Sequence, residues 1–408
     1  MIQPCRVSPE IEGVKTLRFT LYSRQGSAGF HGETLNGGCR RFDGEKAGLN
    51  GDGGNRASMG GERILAAAER NREAFLRAAR RAGFQLAGIA PAGPVEDFPL
   101  FQEWVADGLA GPLHYLTDHR AGLRADPRRL MPAARSVVCV GLLYHAPGPD
   151  HHSVSRYAWG AADYHDLVRG MLEGAVQEVR AEIGPFESRI CVDTAPLLER
   201  SLARRAGLGW IGRNTCLIHQ LMGSWFFLGE VLTSLEMAHD SPPPDRCGTC
   251  RRCIDACPTE ALVPAGGGRY RLDARLCIST WTIEQRGALP EEAREKMGHL
   301  IFGCDICQEV CPWNRKAPLT PMTEFQPLHP DPDLAELAGL TAEEFRERFR
   351  RTPVWRARYA GMLRNAATAM GNSGEERYLP VLRKLAEFAD EGVSEHARWA
   401  IRRLEAGR

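Results

Sequence analysis

Four cysteines in the stretch CGTCRRCIDACP (residues 247–258) follow the spacing C-x2-C-x2-C-x3-C and are closed by a proline. Further on, CDICQEVCP (304–312) carries three more. Thiolates at this spacing bind 4Fe–4S clusters, and in such a run the fourth cysteine serves the other cluster. Two clusters take eight thiolates, the motifs supply seven, and Cys277 lies between them. The count closes with Cys247, Cys250, Cys253 and Cys311 on one cluster and Cys257, Cys277, Cys304 and Cys307 on the second. The plain alternative is a pair of structural zinc sites. Zinc ribbons use paired C-x2-C knuckles, and a third cysteine at x2, a fourth at x3, Pro258 and Pro312 do not suit them. Cys139, Cys191 and Cys216 fall in apolar segments and read as core residues.

Clusters of this kind pass single electrons at low potential, so something beside them must use the electrons. No G-x-G-x-x-G follows a strand pattern, which leaves a nicotinamide or flavin Rossmann site without support. The 408 residues are enough for two or three domains, and 43% hydrophobic with 25% charged residues is ordinary for a globular chain. A net charge of +1 gives no overall field for nucleic acid, so any basic surface is local. No apolar run is long enough to span a membrane, and the first 60 residues contain no secretory h-region. Arg40-Arg41 is followed by no apolar region, which argues against twin-arginine export. A reducing, cytoplasmic compartment is expected, where clustered cysteines bind metal more often than they form disulfides.

The elements that must position these groups follow from the hydrophobic pattern. Residues 26–61 are about one-third glycine, and residues 1–61 read as a disordered extension carrying Cys5 and Cys39 without a role, with Met59 a plausible start. From Glu62 the spacing of Ile64, Leu65, Ala68, Phe75, Leu76 and Ala79 predicts a helix that Gly83 stops. FQLAGIAP (84–91), SVVCVGLLY (136–144) and RICVD (189–193) read as strands, and helices are expected over 101–109, near 164–183 and near 196–206. This alternation predicts an α/β domain over 62–240. The cysteine motifs occupy 241–330. Over 331–408, segments such as TAEEFRERFR, WRARYAGMLRNAATAMG and SEHARWAIRRLEA predict stacked amphipathic helices of HEAT type.

RYAWGAADYH (156–165), VDTAPLLERSLARRAGLGWIGRNTCLI (192–218), GSWFFLGEVL (223–232), the two cysteine runs, CISTWTIE (277–284) and GMLRNAATAMGN (361–372) together resemble the epoxyqueuosine reductases, over about residues 62–408. The resemblance implies an enzyme that reduces epoxyqueuosine to queuosine at the wobble position of tRNA, the last step of queuosine biosynthesis. It implies cobalamin, two 4Fe–4S clusters and kinship with reductive dehalogenases. The implied fold is an α/β cobalamin-binding domain, nitroreductase- or reductive-dehalogenase-like, with a ferredoxin-like double-cluster module and a C-terminal α-helical HEAT-like domain. An external electron donor, no membrane and a monomer are expected. DYHDLV (163–168) only partly echoes a D-x-H-x-x-G cobalamin motif, because the glycine is missing, and His165 is not assigned to cobalt.

An epoxide opens readily when its oxygen is protonated as it leaves, so the protein must supply an acid and exclude water. The resemblance places Asp193 at the family's proton-donor position; its apolar neighbours predict a raised pKa, and the bland alternative is a helix N-cap. For cobalamin the resemblance points to Arg124, Tyr157, Asp193, WIGRNT (210–215), Leu217, GSWFF (223–227), Ser279 and the loop Cys304, Asp305, Ile306 and Cys307. Trp210, Trp225 and Phe226 equally read as core. Residues 341–408 hold 14 Lys and Arg against 10 Asp and Glu, and FRERFRRTPVWRARY interleaves arginine with aromatics, which nominates Arg346, Arg350 and Arg356 for tRNA. If they are not used, Arg200, Arg204 and Arg205 are the next surface. Arg364-Asn365, inside an apolar helix, reads as a packing device. A small-organohalide dehalogenase and a non-catalytic electron-transfer subunit compete. The basic helical tail argues against the first, and Asp193 in a complete pocket domain argues against the second.

Overall fold

The computed structural model describes residues 54–406, so the expectations placed on residues 1–53, including Cys5 and Cys39, lie outside the described residues. Helix α1 (Gly54–Ala82) begins earlier than Glu62. Extending a helix costs less than nucleating one, so the strong pattern from Glu62 onward can carry helical backbone into the glycine-rich stretch before it. Strand β1 (Leu86–Pro91) follows, then α2 (Phe98–Ala106), which starts at its first-turn proline, Pro99, before the expected Phe101. The short α3 (His114–Thr117) leads towards β2 (Ser136–Leu143). Next come α4 (Tyr164–Ile183), β3 (Ser188–Cys191) and α5 (Glu199–Arg205), then the two-residue strands β4 (Trp210–Ile211) and β5 (Leu217–Ile218), and β6 (Phe226–Thr233).

The four long strands form one sheet in the order β1-β2-β6-β3, with every neighbouring pair antiparallel. β2 and β3 both run antiparallel to β6, hence parallel to each other, with α4 as the crossover between them. The later strand β6 fills the gap, and alternation alone cannot reveal that. Every residue of β2 is buried. Val138, Val140 and Leu142 pack with α1 and α4, while Val137, Cys139 and Leu143 pack with Leu202 and Ala203 of α5. A strand covered on both faces reads as one continuous apolar run, which is what SVVCVGLLY is. Cys139 and Cys191 lie in this core, as expected.

The cysteine-rich segment is mostly loops held by short elements: α6 (Arg252–Asp255), the hairpin β7 (Leu262–Pro264) and β8 (Tyr270–Leu272), α7 (Ile278–Ile283), α8 (Glu291–Lys296) and α9 (Ile306–Glu309). Helices α10 (Leu334–Gly339), α11 (Ala342–Phe349), α12 (Arg358–Ser373), α13 (Leu379–Leu385) and α14 (Glu391–Ala406) close the chain. They share a core with Val154, Trp159, Ile283, Ile301 and Phe302. Arg364 and Asn365 make the join. Arg364 is fully buried and donates to the carbonyls of Trp281, Gln285 and Gly287, and Asn365 donates to those of Thr282 and Ile301. Burial lowers the Arg364 guanidinium to about 10, still charged at neutrality. Among the described residues no helix is long and apolar enough to cross a membrane.

Candidate functional site

Asp193 lies two residues past the end of β3, in a turn with φ 54°, a left-handed conformation that costs energy for a non-glycine residue. Two hydrogen bonds hold it there. Its backbone N–H donates to Glu199 Oε1 at 2.7 Å, and its carboxylate Oδ2 meets His165 Nε2 at 3.0 Å. The other ring nitrogen of His165, Nδ1, lies 2.6 Å from Asp163 Oδ1, and Asp163 caps the start of α4. Helix α5 begins beyond Leu198 with no side-chain cap, so Asp193 is not its N-cap.

The expected raised pKa of Asp193 is not found. Its side chain is 45% exposed at the cavity wall. Burial pushes the acid up, but the hydrogen bond and charge of His165 outweigh this and hold Asp193 below its ordinary value. Burial likewise lowers His165, but the carboxylates of Asp163 and Asp193 prevail and push it up to about 9. Near neutrality the proton therefore sits on the imidazole, between two carboxylates. The apolar neighbours of Asp193 in the sequence did not reveal a base arriving from another helix.

Asp193 faces a cavity of about 360 Å³. The cavity is lined by Tyr115, Tyr157, Tyr164 and His165, by Ile283 and Glu284 at the end of α7, and by Thr352, Pro353, Trp355, Arg356 and Arg358. Arg356 lines this cavity: it pairs with Glu284 at 2.5 Å and its guanidinium lies over the Tyr115 ring. Arg346 and Arg350 are exposed on or just beyond α11, away from any ion pair among the described residues. Arg204 pairs with Asp97, and Arg200 and Arg205 bind backbone carbonyls.

Of the residues nominated for a large flat ligand, Tyr157 lines the cavity with Asp193. Burial and the nearby carboxylates of Asp193 and Asp305 keep its phenol protonated. Arg124 is 4% exposed and donates to the Tyr115 carbonyl, while its Nε and Nη1 are buried without partners. Two unmet donors on a buried cation suit an acceptor-rich ligand. Asp305 is buried and accepts from Ser155 Oγ and the Arg156 N–H, which ties the 304–307 loop behind Tyr157. Gly303 sits at φ 73°, where a Cβ would come within 2.3 Å of Ser155 Oγ. Ser279 is half-buried on α7, and Leu217 is buried in the core below the sheet. Trp210, Trp225 and Phe226 are core residues.

Cys247, Cys250, Cys253 and Cys311 come together around a second cavity of about 230 Å³. Trp210 Nε1 is buried without an oxygen or nitrogen partner and acts on the Cys247 thiol. In the other group, burial pushes the Cys304 thiol up to about 12, with Cys277 and Cys257 adding to the effect, so these three are neighbours. Cys307 feels Cys304 and Cys277 as well. Among the described residues no three His, Cys, Asp or Glu side chains close around a single ion position. Thiols spread around a cavity suit a body larger than one ion. Cys216, expected in the core, is half-buried, and the neighbouring Cys307 thiol holds it below the usual thiol range. Its turn, with Thr215 at φ 64° between β4 and β5, swings it out of the apolar register.

Several site residues had a weaker signal. Asp163-x-His165 at a helix start was visible as a motif but had no partner until the fold supplied Asp193. Glu230 interrupts the apolar strand FFLGEVLT, and a lone carboxyl there is a signal in itself. It is fully buried with neither oxygen hydrogen-bonded, and burial together with Glu199 pushes its carboxyl well above the usual range. Burial and Asp193 push Glu199 up to about 7.

Two family models match the chain: "4Fe-4S double cluster binding domain" over residues 246–314, and "Epoxyqueuosine reductase QueG, DUF1730" over residues 124–194. A curated epoxyqueuosine reductase from Xanthomonas campestris pv. campestris is 43% identical over 337 residues, 79% of this chain and 93% of that protein. The Escherichia coli epoxyqueuosine reductase is 37% identical over 78% of this chain and 86% of its own length. Among solved structures, an epoxyqueuosine reductase with an epoxyqueuosine-modified tRNA-Tyr stem loop superposes with TM-score 0.72 at 30% identity, covering 81% of this chain and 89% of that one. The Bacillus subtilis enzyme, with its catalytic aspartate loop swung out of the active site, gives TM-score 0.73 at 29% identity over 81% and 90%. With relatives this similar along nearly their whole length, the double-cluster domain in place and the same architecture, the chain belongs to the epoxyqueuosine reductase family of oxidoreductases.

Proposed function

We infer that this chain reduces epoxyqueuosine to queuosine in tRNA, with Asp193 and His165 handling the proton at the reacting oxygen. Removing an epoxide oxygen as water takes two electrons and two protons. The observation that carries the reading is the Asp163–His165–Asp193 array on the wall of the cavity, with the cysteine loop 304–307 tied directly behind Tyr157.

Cys247, Cys250, Cys253 and Cys311 would hold one 4Fe–4S cluster and Cys257, Cys277, Cys304 and Cys307 the other, storing and passing single electrons. Arg124, Tyr157, Leu217, Ser279 and the 304–307 loop would hold cobalamin. The unmet donors of Arg124 and the neutral phenol of Tyr157 fit that ligand's amides and faces. When bound, cobalamin supplies a strongly reducing cobalt centre. The chain's own residues do the rest. His165 keeps a proton in place at neutral pH, and Asp193 relays it from Nε2 across 3.0 Å to the substrate oxygen. Asp163 orients the imidazole and offsets its charge. Glu199 holds the strained turn by its bond to the Asp193 N–H. The wall formed by Thr352–Arg358 narrows the cavity and restricts water. Exposed Arg346 and Arg350 would contact tRNA phosphates, and Arg356, paired with Glu284 over Tyr115, would sit beside the entering base. The helices α10–α14 would form the HEAT-like platform that carries these arginines.

The test is conversion of tRNA carrying epoxyqueuosine by anaerobically reconstituted protein, followed by nucleoside analysis. Queuosine should form in wild type and not in Asp193→Asn, with both variants binding the tRNA equally. Equal conversion by the two would remove Asp193 from the mechanism.

A further inference from the structure

The cavity bounded by Cys247, Cys250, Cys253 and Cys311 has a charged rim that the proposed reaction does not use. Its lining contains Arg213, Arg246 and Arg252 and no carboxylate. Arg246 and Arg252 are exposed, and neither side chain makes a hydrogen bond or ion pair among the described residues. Arg315 and Lys316, just past the lining residues Pro312 and Trp313, are exposed and unpaired in the same sense. Some surface arginines elsewhere are neutralised by a carboxylate: Arg72 by Asp240, Arg77 by Glu182, Arg275 by Asp273, Arg402 by Glu291. Even the adjacent Arg251 is paired, with Asp255. Unpaired cations of one sign around a half-exposed set of thiols repel one another, and that cost is offset when a complementary surface covers them.

The two cavities share no lining residue. The second group of thiols, through Cys304 and Cys307, is tied to the substrate cavity by Asp305. The first group is therefore the end of the electron path that faces outward. We propose that the arginine-rimmed mouth at Arg246 and Arg252 is the docking surface of the external reductant, and that this reductant is a small acidic one-electron carrier protein. This rests on the reading of these cysteines as cluster ligands. A tRNA also carries negative charge, but covering the electron entry point would block the donor without bringing the modified base nearer Asp193.

Arg213 is left intact in the test, because it donates to the carbonyls of Cys250 and Gly248 and so shapes the cluster loop. Arg246→Glu/Arg252→Glu is compared with wild type in the full-length reconstituted protein. Stopped-flow absorbance follows cluster reduction by a reduced flavodoxin, an acidic carrier, and by the cationic methyl viologen radical. Steering of this kind changes association by roughly tenfold or more and falls steeply with salt. The variant should therefore lose about tenfold in the flavodoxin rate constant at low salt, lose that salt dependence, react with the viologen cation at least as fast as wild type, and keep its iron content and tRNA affinity. Equal flavodoxin rates in the two proteins would overturn the docking surface while leaving the cluster reading intact. A loss of tRNA affinity with unchanged flavodoxin rate would assign the rim to RNA and overturn it too. Wild-type protein that holds zinc in place of iron would sink the cluster reading, and this proposal with it.

Discussion

The cavity lined by Cys247, Cys250, Cys253 and Cys311 draws three of its four thiols from one seven-residue run, whereas the Asp193 cavity takes its walls from six separate stretches between Tyr115 and Arg358. The first is a local construction: loop spacing presents the sulfurs, and one distant cysteine completes the set. The second exists only when sheet, α4, α7 and the turn before α12 are assembled. Their charges differ in the same way. Cations line the first without a carboxylate, while the second alternates acid and base, Asp163 to His165 to Asp193 and Glu284 to Arg356. A local site is legible as a motif. A site of opposed charges drawn from distant segments is set by which partners the fold brings together, and those partners reverse pKa shifts that neighbours in sequence would suggest.

The largest effect should come from the cysteine between the motifs. Cys277→Ser should abolish turnover and cut iron from about eight to about four per chain, leaving the other cluster's spectrum. Iron that stays at the wild-type value would remove Cys277 from the ligand set and break the pairing of the two groups. Asp193→Asn should keep iron and tRNA binding and lose roughly 10²–10⁴-fold in conversion, because the amide cannot pass a proton.

His165→Gln sharpens the contrast between the cavities. The imidazole holds its proton up to about 9 against an ordinary 6.5. Because the folded value is raised, the stability it contributes is fully present below about 6.5 and is lost as pH rises through about 9. Single-turnover conversion in wild type should fall along the same alkaline limb. The variant should be slower by roughly 10²-fold and flat across that window. A limb that persists in the variant would assign the titration to another group.

Arg364→Ala tests whether the C-terminal helices are needed to build the substrate cavity. It leaves the buried Trp281 carbonyl and the part-buried Gln285 and Gly287 carbonyls without their donor, so unfolding stability should drop by about 3 kcal/mol, read as a lower denaturant midpoint. A midpoint at the wild-type value would mean that α12 is held by its apolar face alone. The smallest effect belongs to Arg346→Gln/Arg350→Gln: a few-fold weaker tRNA binding, with the salt slope reduced by about one for each phosphate no longer neutralised. An unchanged slope would move the RNA surface off α11.

Some of the molecule was written in local pattern. The double-cluster cysteine motifs, the doubly buried strand at 136–143, the helix near 164–183 and the packing role of Arg364-Asn365 all depend on spacing, periodicity or a polar residue in an apolar run. These signals survive in one dimension because backbone geometry repeats every two or 3.6 residues. What tertiary structure alone decided is who faces whom. β6 entered between β2 and β3 and made the sheet antiparallel throughout. The turn at Thr215 carried Cys216 from the expected core to Cys307. Arg356, nominated for tRNA on local charge, lines the cavity with its guanidinium over Tyr115. His165 met Asp193 across 28 residues of sequence and took the proton that apolar neighbours had seemed to leave on the acid. Charge and proton location depend on distances of a few ångströms between remote segments, and no repeat in the chain encodes those distances.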